Sequence, residues 1–260
     1  MIKLAMVQFA PSSDSSIALE HNLHTHLAAM QQAQSLGVSL LVFPELSLTG
    51  YELAEAARLA LSPQHPMLFH LQAQVDDLGV SVVVGAPWYA TENMNDRPQI
   101  ASILLRPHLA PQVYAKMHLH AGEQAYISAG SDYLLFTHHG LRIGMAICAD
   151  TLHDSHAQHY ADLQADVYVA AVLISEQGYA ADAAQLQAHA QKHGMVVAMA
   201  NFSGRSGDWL AAGKSCVWSP TAAIMGVAAA STALELRQQD FQLLIAAYEH
   251  GEWQASLYPA

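Results

Sequence analysis

Residues 38–51 read VSLLVFPELSLTGY. From Val38 to Phe43 the chain is a short, almost continuous apolar run closed by Pro44, the pattern of a strand buried on both faces. Its carboxyl end delivers Glu45. A strand buried on both sides needs covering layers, so this stretch points to an α/β protein.

The flanks extend that pattern. Upstream, IKLAMVQFA (2–10) reads as a second buried strand ending at Pro11. Between the two, the cluster Asp14, Ser15, Ser16 signals a helix start, Leu19, Leu23, Leu27 and Met30 its apolar face, and Gly37 its stop. Downstream, helices are expected near 54–61 and 66–77, followed by the strand SVVVGAP (81–87). IASILLR (100–106) and QVYAK (112–116) form a hairpin pair, and LRIGMAIC (141–148) is another buried strand. A polar helix near 154–164 leads to DVYVAAVL (166–173), an Ala/Gln-rich helix over 180–193 and the strand MVVAMAN (195–201). CVWSP (216–220) and AAIMGVAA (222–229) read as strands, and DFQLLIAAYEHG (240–251) as a helix or a long edge strand. Strands alternate with helices, but several β–β steps intervene, which fits sheets covered by helices and admits two sheets packed face to face. With no repeat, low-complexity tract or linker, residues 1–260 read as one domain.

Composition narrows the function classes. The 260 residues are 52% apolar and only 12% charged, with a net charge of −12, so a large folded core is expected. The acidic balance argues against nucleic acid or an anionic membrane as partner. No apolar run reaches the roughly 18 residues of a membrane span, and MIKLAMVQFAP is too short an apolar stretch for a signal peptide, so a cytoplasmic protein is expected. Cys148 and Cys216 then read as free thiols.

Three strands end in residues able to do chemistry: Glu45, Lys116 in QVYAKMHLH and Cys148 in LRIGMAICAD. Strand carboxyl ends line ligand crevices in α/β proteins. Each residue also has a plainer reading: a solvated loop carboxylate, a surface lysine, a buried small thiol. The chain has only four lysines, at positions 3, 116, 192 and 214, so a surface that mostly avoids lysine still places one here. Cys216, in KSCVWSP, has no acid or base at comparable spacing and reads as a buried structural thiol. His153, His156 and His159 step by three, which drifts around a helix, and they read as solvated side chains rather than metal ligands. Trp209 and Trp218 suit a core or a subunit interface equally.

Taken together, PEL…GY, Y-x-K-x-H-L and G-x-x-I-C-x-D resemble the three signatures of the nitrilase, or carbon–nitrogen hydrolase, superfamily. Lys116 follows Glu45 by 71 residues and Cys148 follows Lys116 by 32, spacings ordinary for that family. Gly122-Glu123 with Ile127 and Gly130 falls where the family has a second Glu, and MVVAMANFSG and GKSCVWSP resemble its later segments, so the likeness spans nearly the whole chain. The resemblance implies a four-layer α-β-β-α sandwich, commonly paired into a homodimer or higher homo-oligomer. It also implies hydrolysis of a small amide without cofactor or metal. Cys148 would be the nucleophile, Glu45 the general base, and Lys116 with the backbone N–H of Ala149 the oxyanion donors. Glu123, Ala149, Tyr126 and Ser175 are the substrate-binding candidates.

Departures from the family pattern lie at Ala115, Ala149, the run Asp150 to Asp154, and Pro220-Thr221-Ala222. They leave the catalytic groups in place and open the substrate subgroup. An ω-amidase or aliphatic amidase activity is the first reading, an N-carbamoyl amide hydrolase or nitrilase the second. A non-catalytic scaffold that keeps the fold is the alternative of another class, and a histidine-rich metal carrier a third.

Overall fold

The computed structural model describes residues 1–91, 96–221, 223–230 and 241–258. Two sheets dominate it. The first contains β1 (Ile2–Phe9), β2 (Leu40–Val42), β3 (Ser81–Trp88), β4 (Gln99–Leu105), β5 (Gln112–Ala115), β14 (Phe241–Glu249) and β15 (Glu252–Tyr258), in the order β15-β14-β1-β2-β3-β4-β5. The second contains β6 (Leu135–His138), β7 (Leu141–Ile147), β8 (Val167–Val172), β9 (Val196–Asn201), β12 (Cys216–Trp218) and β13 (Ile224–Val227), in the order β13-β12-β9-β8-β7-β6. A separate hairpin pairs β10 (Ser203–Ser206) with β11 (Trp209–Ala212). The strands β1, β2 and β3 are parallel, as are β7, β8 and β9. The helices are α1 (Ala18–Ser35), α2 (Ala56–Leu59), α3 (Pro66–Leu78), α4 (Asp154–Asp162) and α5 (Tyr179–His193).

The period-two alternation of side chains along a strand sorts these residues into layers. Leu4, Met6, Leu40, Val42 and Val83 of the first sheet meet Ile143, Met145, Ile147, Val167 and Val196 of the second in one buried core. Their neighbours Ala5, Val7, Leu41, Val82 and Val84 turn the other way, onto Ala29, Met30 and Ala33 of α1 and Leu68, Leu71 and Val75 of α3. In the second sheet, Ala146, Tyr168, Ala170 and Val197 face Ala157 and Tyr160 of α4 and Leu186 and Ala190 of α5. The result is the α-β-β-α sandwich.

Several elements differ from the sequence expectation. Residues 241–249 form neither a helix nor an edge strand: β14 pairs with β1 on one side and β15 on the other. Its alternation explains this, since Leu244 and Ala246 enter the central core while Leu243 and Ile245 enter the outer one. The expected helix near 54–61 shrinks to a 3₁₀ turn over Leu53–Glu55 and the four-residue α2. The strands β6, β10, β11 and β15, short or polar, carry too weak a pattern to be read from sequence. Ala222 and Asp240 lie outside the described residues. On α1, Leu19, Leu23 and Leu27 are only half-buried, and the buried side includes Asn22 and His26.

Those buried polar side chains support the Glu45 loop. Asn22 donates to the carbonyls of Ser12 and Leu48, and the His26 Nε2 atom meets Ser47 Oγ at 3.0 Å. Fully bonded, they avoid the penalty of buried unpaired polar groups. Ser47 Oγ also accepts from the Gly85 N–H, and Leu48 N–H donates to the Gly85 carbonyl. The loop therefore lies directly on Gly85 of β3. A Cβ there would stand 2.4 Å from Leu46 N and 2.6 Å from the Pro44 carbonyl oxygen. Gly85→Ala should displace the loop, costing about 1–3 kcal/mol of stability as an overpacking change. Calorimetry should show a lowered Tm together with reduced turnover; a variant with unchanged Tm and turnover would show that the contact does not position Glu45.

Candidate active site

The site forms where the strand ends of both sheets meet. Glu45 follows β2, Lys116 follows β5 and Cys148 follows β7. Lys116 is fully buried, its N–H continues the ladder to the Ile100 carbonyl, and its carbonyl accepts from the Gly130 N–H. The side chain is thereby fixed at its root. Its Nζ donates to Glu45 Oε1 at 2.8 Å and to Glu123 Oε1 at 2.7 Å.

Glu123 opens a 3₁₀ turn (Glu123–Ala125) that follows Gly122, whose φ of +96° suits glycine. Its Oε1 also accepts from the Tyr51 hydroxyl at 2.5 Å, and its Oε2 from the His120 N–H at 2.7 Å. Cys148 sits at a φ of +43°, in the left-handed region that non-glycine residues rarely adopt, and begins the 3₁₀ helix Cys148–Leu152. Its Sγ lies 3.6 Å from the Leu173 carbonyl oxygen. The sharp turn lifts the thiol off the strand line toward the cavity.

Charge and burial set the protonation states. Burial raises the Glu45 pKa above the ordinary carboxylate range; the Lys116 ammonium opposes the rise and the Glu123 carboxylate adds to it. Burial alone would lower the Lys116 pKa, but its carboxylate partners, Glu45 first and then Glu123, outweigh it and hold the amine protonated. Burial, then the Glu45 charge, pushes the Cys148 thiol well above its usual pKa. A thiol so held needs a base at the moment of attack. Glu45 Oε2 is buried with no hydrogen-bond partner, and the Cys148 thiol is close enough to contribute to lowering the Glu45 pKa. The arrangement can move a proton from sulfur to carboxylate beside a fixed ammonium.

A cavity of about 390 Å³ opens over the thiol. Ala149 and Ser175 line it with Cys148; so do Tyr51, His120, Asp182 and Trp209. Glu123 does not line it and touches it through Tyr51 and His120, which do. Tyr126 is a correction to the sequence expectation. It closes the turn that points Glu123 inward, its side chain is 45% exposed, and it is absent from the cavity wall. Cys216 lies in the outer core under α5 with its pKa pushed up to about 12 by burial. His153 stacks on His118, His159 stacks on Tyr133, and buried His156 bonds to Tyr114 and Tyr168. His156 also meets the His118 and Tyr133 rings, so the three belong to one aromatic cluster, and its full burial corrects the expectation that all three are solvated. Trp218 belongs to the core, whereas Trp209 borders the cavity and contacts His120 edge-on.

Asp150 is the residue the sequence reading undervalued. Fully buried, its carboxylate accepts from the Ile147 N–H before the cysteine, from the Met117 and His118 N–H groups after the lysine, and from the Tyr114 hydroxyl at 2.6 Å. One side chain thus ties the cysteine turn to the lysine strand. The signal was the final D of G-x-x-I-C-x-D.

The carbon-nitrogen hydrolase family model matches residues 3–249, so the chain belongs to that family. It is accordingly a hydrolase of carbon–nitrogen bonds. An (R)-stereoselective amidase of a Pseudomonas species is 27% identical over 210 residues, covering 80% of this chain and 74% of the amidase. An amidase from Nesterenkonia sp. AN1 superposes with a TM-score of 0.82 at 21% identity, covering 96% of this chain and 94% of that one. One mutant of that amidase has been solved in complex with butyramide, and another with the acetamide moiety of fluoroacetamide on its active-site cysteine.

Replacing Asp150 by Asn would turn an NH₂ donor toward N–H groups that need an acceptor, a loss of roughly 1.5–3 kcal/mol per charged hydrogen bond. Asp150→Asn should lower kcat by about tenfold or more, since each 1.4 kcal/mol is a factor of ten. Steady-state kinetics beside a far-ultraviolet dichroism spectrum checks it; full kcat in a folded variant would remove Asp150 from the positioning machinery.

Proposed function

We propose that the chain hydrolyses a small linear amide through a thioester on Cys148. The observation that carries this reading is the buried Lys116 ammonium, held between Glu45 and Glu123 and within electrostatic reach of Cys148, which itself lines the cavity. Glu45 takes the thiol proton as sulfur attacks the amide carbon. The new C–S bond leaves a tetrahedral oxyanion, which accepts hydrogen bonds from Lys116 Nζ and the Ala149 N–H, a contribution of about 3–4 kcal/mol per donor. The C–N bond then breaks, and Glu45 returns the proton to the leaving ammonia or amine. Water, deprotonated by Glu45, attacks the thioester and releases the acid while the proton returns to sulfur. Glu123 holds Lys116 and Tyr51 in place and transfers no proton.

The cavity wall favours an aliphatic amide over an ω-amide that carries a carboxylate. Among the described residues that line it there is no Arg or Lys, and Asp182 presents a carboxylate of its own. A net charge of −12 adds to the repulsion of an anionic substrate. Leu152, Leu173 and Ile174 offer apolar contact, and the butyramide complex of the Nesterenkonia amidase supports a short alkyl chain. An N-carbamoyl amide or a nitrile fits the same attack on an unsaturated carbon and is the second reading. A single catalytic domain over 1–260 and a pairing of two subunits belong to the same proposal, as does a cytoplasmic location. Among the described residues no helix is long and apolar enough to cross a membrane.

Acid quench during turnover of a slow amide should trap a chain heavier by the acyl group, with the added mass on the peptide containing Cys148, and hydroxylamine should divert that group to a hydroxamate. Cys148→Ala should abolish turnover and Cys216→Ala should leave most of it. A dead Cys216→Ala beside an active Cys148→Ala would overturn the choice of nucleophile. For specificity, kcat/KM for a neutral four-carbon amide should exceed that for the amide of the same length ending in a carboxylate by at least about tenfold, or 1.4 kcal/mol. The reverse order would restore the ω-amidase reading.

A further inference from the structure

We propose that Asp154, His189 and His193 form a binding site for a zinc-type divalent cation, separate from the reaction centre. None of the three lines the cavity over Cys148. Asp154 is the first residue of α4, and the two histidines stand four apart near the end of α5, on one face of that helix. Each offers one ligand atom, and these atoms all lie within 4.8 Å of one another. His193 Nε2 is 3.0 Å and His189 Nδ1 is 3.7 Å from the same oxygen, Asp154 Oδ1. Ligands about 2.0–2.1 Å from a tetrahedral zinc are roughly 3.3 Å apart, so the two spacings bracket the required edge.

The surroundings of the rings favour metal as well. His189 is 1% exposed, and its Nε2 lies 2.7 Å from the Thr151 carbonyl oxygen. That hydrogen bond places the proton on Nε2 and leaves the Nδ1 lone pair toward Asp154, the outer-shell arrangement typical of zinc-bound histidines. The His193 side chain is 2% exposed, while Asp154 is 44% exposed and leaves the fourth position open to water. Lys192 Nζ, 2.5 Å from Asp154 Oδ2, occupies the other carboxylate oxygen and keeps its charge near the site. Lys192 is itself 57% exposed and can swing into solvent when a cation binds.

The site has mechanical reach. Thr151, the partner of His189, lies in the 3₁₀ helix that begins at Cys148 and borders the substrate cavity. A cation bridging α4 and α5 would brace that turn from behind.

The test uses the full chain in a Cys148→Ala background, so that the reactive thiol cannot act as a ligand. Zinc titrated calorimetrically should bind at one site per chain, and cobalt(II) should give the intense visible absorption of a tetrahedral nitrogen/oxygen site. Asp154→Asn and His193→Gln should each weaken zinc by at least about tenfold, in line with the loss of a ligand or its support, and abolish the cobalt band. Lys192→Ala should tighten zinc, because it removes a competing positive charge, which a merely structural role for the cluster would not predict. Zinc affinity unchanged in Asp154→Asn and His193→Gln would overturn the proposal. So would an affinity unmoved or weakened by Lys192→Ala. Because binding is read without turnover, failure here leaves the amide-hydrolysis reading intact, and a failed acyl trap leaves this one intact.

Discussion

An ammonium with no exposure to water, gripped by two carboxylates, is the constraint around which this molecule is arranged. Taking Lys116 and its partners out of water carries a desolvation penalty of several kcal/mol per ion, which only close and complete pairing offsets. Here the pairing is complete on the lysine side: Glu45 and Glu123 lie on it at 2.8 and 2.7 Å. The surplus negative charge falls on Glu45, which the second carboxylate and burial together make a better base. Stability is given up locally so that a proton acceptor stands ready beside a fixed cation. The two face-to-face sheets supply the dry surroundings that make this possible.

Holding such a set requires the backbone to be fixed at each contributing segment, and the fold does so with buried polar side chains outside the reaction. Gly85 and Ser47 seat the Glu45 loop, the Asp150 carboxylate gathers N–H groups from both sides of the site, and Asn201 fixes Ile174 beside the cavity through both ends of its amide group. Each is fully bonded, as buried polar groups must be if they are to stiffen a structure rather than weaken it. The left-handed turn at Cys148 is tolerated because the Ile147 N–H and the Thr151 hydroxyl are anchored on either side of it.

Much of this was legible in the chain. Apolar runs closed by Pro44 and by Cys148 identified two of the strand ends, because a strand buried on both faces leaves an unbroken apolar signal, while the strand before Lys116 was legible as half of a hairpin. What could not be read is non-local. Tyr126 and Tyr51 are equally polar-tipped aromatics in the sequence; only the turn at Gly122 decides that Tyr51 reaches Glu123 while Tyr126 faces solvent. The edge strand β15 alternates exposed and half-buried residues and has no apolar stripe to betray it. The hairpin that brings Trp209 to the cavity is polar and short. Asp150 and Asn201 lie within segments that were read, but what each side chain holds depends on partners more than ten positions away.

Cys148 and Glu45 belong to different sheets. Glu45 and Lys116 extend from strands of the first sheet, Cys148 from a strand of the second, and the core between them is made of plain aliphatic side chains. Neither half holds a competent set by itself. A nascent or partly opened chain thus carries an ordinary exposed thiol, and a thiol with a carboxylate and an ammonium beside it exists only once the two layers have docked. Assembly of the site is therefore coupled to closure of the interior, since groups carried by separate sheets come together only when those sheets pack.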